Sequence, residues 1–233
     1  MTLEAFIKDV RREAARAALV RLDLAGAAFP FVAGQAVMAG LASQPDRKPY
    51  SIACSPAQAR ESGCLDLLVK VDQQGRAGRH FGRLDAGTAI EVQGPSGRFS
   101  LAGSRPSSPL LFVAGGTGIA PLRSMLWSAL EREDTPPVTL LYSARTPDEF
   151  AFLPEFRRLH AEGRIRLRLT ATRGAGQGWS GGRRRIDREL LDELVKRSST
   201  VCLVCGPDSL VADVPAMLRD LGVHADRIRR DEY

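Results

Sequence analysis

Apolar positions change their spacing once along the chain. Through residue 104 they come as short runs of strand character, at 17–24, 35–38, 50–53, 65–71 and 89–92, separated by glycine-rich turns. Short strands punctuated in this way predict a small antiparallel β-barrel or sandwich. Residues 13–22 fit a helix as well as a strand, because alanine and arginine at those spacings are good helix formers. Beyond residue 109 the pattern is different. The run 110–114 is apolar without alternation, as in a parallel strand buried on both faces. Strand-like runs at 138–142, 165–171 and 201–205 then alternate with helical stretches at 121–132, 149–162, 188–196 and 209–221. Such alternation predicts an α/β doubly wound parallel sheet. Residues 104–109 form the join, since they are polar, carry Pro106 and Pro109, and lack apolar periodicity. We therefore expect two domains, a barrel over 1–104 and an α/β domain over 105–233.

Composition narrows the setting. A chain of 233 residues can bury a substantial core in each of two domains without covalent staples. Four cysteines at irregular spacings, with no apolar secretory segment at the N-terminus, fit a reduced cytoplasmic protein. No apolar run approaches the length that spans a bilayer, so membrane insertion is not expected. The net charge of +6 comes mainly from arginine and suits phosphate-bearing ligands or an acidic protein partner. Charge alone fits a solvated basic surface equally well. Nucleic acid is not expected as a partner, because the arginines are not interleaved with aromatics and no nucleic-acid motif occurs. The sequence is silent on oligomeric state.

Gly115, Gly116, Thr117 and Gly118 stand where the buried run 110–114 passes into a helix whose first turn holds Pro121. Glycine permits a tight turn and close approach of a ligand, and free amides at a helix start attract a diphosphate. A tight turn needed only for strand–helix packing explains the same residues, and no Gly-Lys-Ser/Thr follows to make a Walker loop. Cys202 and Cys205 form a lone C-x-x-C. Residues three apart in a strand point to opposite faces, and no second cysteine pair or histidine cluster completes a metal site, so no metal is expected.

Further motifs follow in chain order. Gly34-Gln35 precedes the run Pro49-Tyr50-Ser51-Ile52-Ala53, Gly94-Pro95-Ser96-Gly97-Arg98-Phe99 ends the first half, and Gly115 to Pro121 opens the second. Strands then end in Tyr142-Ser143-Ala144-Arg145 and Cys205-Gly206-Pro207. Together these resemble the ferredoxin-NADP reductase family of FAD-dependent oxidoreductases over nearly the whole chain. The resemblance implies a flavin-binding barrel followed by a nicotinamide-dinucleotide domain, with hydride passing between NADPH and FAD. FAD is implied, with FMN the lesser alternative, and NADPH is implied, with NADH also open. Single electrons would move to or from ferredoxin or flavodoxin. The alternatives are the reductase component of an oxygenase system, or a non-catalytic electron-transfer or regulatory subunit that keeps the fold.

The resemblance also assigns residues. Tyr50 would pack on the flavin ring and Ser51 would hydrogen-bond its N5, with Pro49, Val69 and Val71 in the same site. Lys48 stands where the family usually has an arginine on the FAD diphosphate, with Arg47 beside it. Lysine keeps the charge and loses the two-pronged fork. Gly78, Arg79, His80 and Phe81 would meet the diphosphate, although Phe81 stands where the family tends to have serine or threonine. Gly206, Pro207 and Arg145 would line the nicotinamide nucleotide, and Cys205 would position its ring. Thr172 and Arg173, with Arg183 and Arg184, match the place where NADP-using members receive the 2′-phosphate. Tyr233 would cover the flavin, and Asp231 would supply the carboxylate near it. The implied catalytic set is thus Ser51, Cys205, Asp231 and Tyr233.

Overall fold

The structure is a computed structural model that describes residues 1–233 apart from 79–80, 82, 104–106, 175, 196–198 and 232–233. Six strands build its first sheet: β1 (Thr2–Ala14), β2 (Ala17–Asp23), β3 (Ala36–Leu41), β4 (Lys48–Ser51), β5 (Cys64–Lys70) and β6 (Ala89–Ser96). They are antiparallel in the order β4-β3-β6-β1-β2-β5. An antiparallel bridge from Ile52, just past β4, to Leu67 of β5 joins the two edges. The Ala53 amide reinforces it by donating to the Asp66 carbonyl at 2.8 Å. The sheet is thereby closed into the expected barrel, around a core that includes Ile7, Val20, Val37, Leu67 and Ile90.

Strand β1 has no counterpart among the runs read from the sequence. Its thirteen residues bury only Ala5, Ile7 and Ala14, and the stretch from Lys8 to Arg12 faces solvent. A strand that contributes so little to the core carries little periodicity. The ambiguous stretch 13–22 resolves into the end of β1, a turn at Ala15-Arg16, and β2. Val20 and Leu22 of β2 point into the barrel, whereas Ala17 and Leu19 pack on the second domain. Burial on both faces erased the alternation that would have marked a strand. A short helix, α1 (Pro56–Ser62), also went unread. It is nevertheless well specified, with a capping box between Ser55 and Gln58 and a left-handed Gly63 at its end.

The second sheet comprises β7 (Leu110–Gly115), β8 (Val138–Ala144), β9 (Arg166–Ala171), β10 (Val201–Cys205) and β11 (Ile228–Arg230). All its pairings are parallel, in the order β11-β10-β7-β8-β9. Helices α2 (Ile119–Leu130), α3 (Leu153–Ala161), α4 (Arg188–Asp192) and α5 (Asp208–Asp220) connect the strands. Leu110, Phe112 and Ala114 of β7 pack with α2, α3 and the barrel, while Leu111 and Val113 pack with α4 and α5. This two-sided burial explains the unbroken apolar run. Helix α3 starts at Leu153 rather than near residue 149, because a 3-10 turn at Pro147–Glu149 and a left-handed Phe152 (φ 59°) precede it. Strand β11 is too short to signal itself, and only its pairing with β10 identifies it.

The chain turns one way from β7 through β8 to β9, and the other way to β10 and β11. Its switch point lies between β7 and β10, where open α/β sheets form their ligand crevices. The barrel packs beside this point through Leu19, Leu68 and Phe99 against Phe112, Met125 and Leu126. Among the described residues no helix is long and apolar enough to cross a membrane.

All four cysteines are buried and free. Burial pushes the Cys54 and Cys202 thiols from an ordinary value of 9.0 up to about 12. The unfolded chain therefore loses these protons first as pH rises, and the stability they confer is whole below about pH 9 and is lost progressively toward about pH 12. Urea midpoints should fall between about pH 8 and pH 11, and a Cys54→Ala, Cys202→Ala variant should show a shallower fall. An unchanged slope would contradict this account.

Candidate functional site

A cleft of about 1150 Å³ runs between the barrel and the C-terminal edge of the parallel sheet. Its floor is the glycine turn. A β-carbon on Gly118 would lie 2.5 Å from the Cys205 carbonyl carbon, and one on Gly115 would lie 2.7 Å from Cδ of Pro207. One on Gly206 would meet the Gly115 Cα at 2.9 Å. Gly118 and Gly206 are thus required because the ends of β7 and β10 touch backbone to backbone, and Gly115 because the Pro207 ring lies against it. Gly116 differs from them. It has open space around it and needs glycine for its left-handed conformation, φ 54°. The packing explanation and the ligand explanation of this motif are therefore divided among its residues. Tyr142, buried under the turn, donates its hydroxyl to the Gly116 carbonyl at 3.0 Å and accepts from the Ala151 amide at 3.2 Å. Thr117 and Gly118 complete the turn and line the cleft, while Pro121 is buried in the first turn of α2, away from it.

On the barrel wall, Lys48, Pro49, Tyr50, Ser51, Val71 and Gly78 all line the cleft. Phe81 is fully buried and meets the Tyr50 ring edge-on, with centroids 5.0 Å apart at 86°. It braces the aromatic wall instead of facing the cleft. Partial burial of Tyr50 holds its phenol up to about 12. Val69 points into the barrel core, whereas its neighbours Leu68 and Lys70 face the cleft. Period-two alternation along β5 separates them. Arg47 is turned away as well, with its guanidinium 2.9 Å from Glu91 on β6. Arg79 and His80 lie outside the described residues.

At the end of β10 the structure joins two residues of the expected catalytic set. The Cys205 thiol donates to the Asp231 carboxylate at 3.0 Å. Asp231 follows β11 directly, and its amide donates to the Val204 carbonyl at 3.1 Å. Desolvation first, and the Asp231 charge second, raise the thiol far above its usual range, so it stays protonated. Cys202 lies on the opposite face of the sheet, packed with α4 and α5. Cys205 opens on the main cleft together with Gly206 and Pro207. Asp231 lines a second cleft of about 810 Å³, which shares Pro49 with the first. Tyr233 lies outside the described residues.

The far end of the cleft is basic. Arg145, Thr172, Arg173 and Arg185 line it. Of the arginine run, Arg183 donates instead to the Gly176 carbonyl, and Arg184 pairs with Glu189 at 2.8 Å and Asp187 at 3.4 Å. Only the loop's path selects Arg185, and no spacing rule could have chosen it among three consecutive arginines. That loop is anchored by Trp179, which stacks on Phe150 at 5.2 Å and 11°, and Phe150 meets Tyr142 edge-on at 4.9 Å. Arg16 and Lys70, also unread from the sequence, add charge from the barrel side. In all, six basic and three acidic side chains line the cleft, and one of the acids, Glu149, is bonded to Arg145 at 2.8 Å. An aromatic wall with an adjacent hydroxyl, free amides at a helix start and surplus cations suit a flavin and a second nucleotide, each bearing a diphosphate.

Comparison with known proteins agrees with this geometry. Residues 7–101 match the oxidoreductase FAD-binding domain, and residues 112–215 match the oxidoreductase NAD-binding domain. The chain is 33% identical over 218 residues to ferredoxin–NADP reductase B of Sorangium cellulosum, covering 89% of this chain and 87% of that protein. It is 29% identical over 166 residues to NADH-cytochrome b5 reductase 1 of Debaryomyces hansenii, covering 70% of this chain and 58% of that one. The crystal structure of an Amycolatopsis cytochrome P450 reductase superposes with a TM-score of 0.84 at 25% identity, over 100% of this chain and 69% of that one.

The two kinds of glycine should respond differently to a methyl group. Gly118→Ala forces apart the ends of β7 and β10 and should cost about 1–3 kcal/mol as overpacking, with weaker binding of a nicotinamide dinucleotide. Gly116→Ala has room and should cost roughly 1 kcal/mol of backbone strain. Thermal denaturation and NADP⁺ titration of both variants test the ranking, which fails if Gly116→Ala is the more damaging.

Proposed function

We propose that this chain, which belongs to the ferredoxin-NADP reductase family of FAD-dependent oxidoreductases, moves a hydride between NADPH and FAD and exchanges single electrons with a carrier such as ferredoxin or flavodoxin. The observation that carries the reading is one cleft in which Tyr50 and Ser51 share the lining with the glycine turn, Cys205 and a basic far end. Bound FAD supplies the chemistry, taking two electrons as hydride and releasing them one at a time.

The residues provide binding, orientation and proton control. Tyr50, braced by Phe81, offers a flat apolar wall to the flavin ring. The Ser51 hydroxyl can donate or accept a hydrogen bond at the ring's edge. Lys48 takes the place of the missing arginine fork on the flavin diphosphate, supported by Arg16 and Lys70 on the same wall. Free amides at Gly116 and Thr117 receive the diphosphate of the nicotinamide dinucleotide. Cys205, kept protonated by burial and by Asp231, acts as a neutral wall for the nicotinamide and not as a nucleophile. The domain boundary falls at residues 104–105, and the cytoplasm is the setting that four free cysteines favour.

Likeness to the Amycolatopsis cytochrome P450 reductase supports a second reading, in which the electrons serve an oxygenase component. Anaerobic reduction by NADPH, followed by a trial of ferredoxin, flavodoxin and oxygenase components as acceptors, separates the two. A purified protein without flavin bands, and with no flavin uptake on reconstitution, would sink both.

NADPH is favoured over NADH because Thr172, Arg173 and Arg185 converge at one end of the cleft. Arg173→Ala and Arg185→Ala should each raise the KM for NADPH about tenfold, the loss of one charge-assisted contact, and leave the KM for NADH nearly unchanged. Equal efficiency of the two cofactors in the unaltered protein would overturn this preference.

A further inference from the structure

Helix α2 starts at the glycine turn and runs alongside the barrel, where it buries an arginine that lines neither cleft. The Arg123 side chain is only 8% exposed. Its Nη1 donates to the Ala53 carbonyl at 2.7 Å, while Nε and Nη2 grip the Glu155 carboxylate of α3 at 2.9 and 2.8 Å. The guanidinium lies 4.6 Å from the centre of the Phe152 ring, and the Asp66 carboxylate of β5 is 3.9 Å away. Next to it, Ser124 donates to the Cys54 carbonyl at 2.6 Å.

These contacts connect the two walls of the cleft by a short path. Ala53 lies two residues past Ser51, and Arg123 lies five residues past Gly118. The surrounding interface is apolar at Leu68, Phe99, Met125 and Leu126 and carries single hydrogen bonds from Ser55 to Glu131, from Ala15 to Asp148 and from Phe152 to Glu13, each a lone contact that can pivot. Apolar contact holds surfaces together without direction, so by itself it permits a small slide or rotation. A planar guanidinium that binds a carbonyl on one side and a carboxylate on the other permits neither.

We propose that Arg123, held by Glu155, is a positioning residue that fixes the angle between the barrel and the parallel sheet, and with it the separation of Ser51 from the glycine turn. Transfer between two bound rings requires reacting atoms about 3–3.5 Å apart, and a displacement of 1 Å can cost on the order of a hundredfold in rate. Binding of each cofactor is a local matter for its own wall. Loss of the fork should accordingly slow transfer and leave affinity alone.

The test uses the FAD-loaded protein carrying Arg123→Met, Arg123→Lys or Glu155→Gln. Residual dipolar couplings of ¹⁵N-labelled protein report the orientation of barrel and sheet independently of turnover. Stopped-flow reduction of the flavin by NADPH or NADH, whichever reduces the unaltered protein, reports transfer, and titration with the oxidised dinucleotide reports binding. In Arg123→Met the couplings should still fit each domain alone but require a new relative orientation. Reduction should slow by about tenfold to a hundredfold, with dinucleotide affinity within about twofold. Arg123→Lys should restore little, because an ammonium lacks the fork. Glu155→Gln should shift both readouts in the same direction by less, and it carries the test if Arg123→Met does not fold. An unchanged orientation overturns the proposal whatever the rate does, as does an unchanged rate, or an affinity loss that accounts for the whole rate change.

Discussion

Backbone contact between the ends of β7 and β10 is the constraint on which the rest of this structure depends. A β-carbon on Gly206 would meet the Gly115 backbone at 2.9 Å, one on Gly115 would meet the Pro207 ring at 2.7 Å, and Gly118 sits against the Cys205 carbonyl. The contact occurs at the switch point of the sheet, and it sets where α2 begins and which way the free amides at its start face. Everything farther along α2 follows from that origin. Arg123 and Ser124 reach the consecutive carbonyls of Ala53 and Cys54, and Glu131 at the helix end accepts from Ser55 at 2.6 Å. The segment leading away from Tyr50 and Ser51 is therefore laid along the helix that leaves the dinucleotide turn.

Where a carboxylate lies decides where several arginines point, and Arg145 stays at the cleft because its partner Glu149 lines the cleft too. Arg47 and Arg184 look equivalent in sequence to the cations that line the cleft, yet each is drawn away by acidic neighbours, Glu91 in one case and Asp187 with Glu189 in the other. Asp66 is buried between Arg21 at 2.9 Å and Arg123 at 3.9 Å. Arg21 reaches solvent, so it is the buried Arg123, between Asp66 and Glu155, through which this cluster constrains the barrel and the sheet together. Phe81 acts by packing instead of charge, as a buried ring that meets Tyr50 edge-on behind the cleft wall.

Much of the fold was legible because the two domains obey different periods. The unbroken run of β7, the alternating strands and helices after it, and the short punctuated runs before it each report their own layer. What escaped were elements with weak burial signals. Strand β1 buries three of its thirteen residues, and β11 is three residues long. Strand β2 was read at 17–24, yet the overlapping stretch 13–22 also fitted a helix, since the barrel core covers one face of the strand and the second domain covers the other.

The candidate site divides along the same line. The sequence by itself determined the glycine turn, the Pro49-Tyr50-Ser51 wall, the strand end at Cys205-Gly206-Pro207 and the arginine that follows β9, because each is a local run whose residue types state the backbone they need. Only the tertiary structure decided that Arg185 faces the cleft in place of Arg183 and Arg184, that Val69 points inward while Lys70 points out, and that Asp231 meets Cys205. It alone brought Arg123 to Ala53 across 70 residues of chain. The physical reason is range. Backbone conformation is specified by neighbours in sequence, whereas the direction of a long charged side chain is set by whichever carboxylate, carbonyl or solvent the fold places beside it.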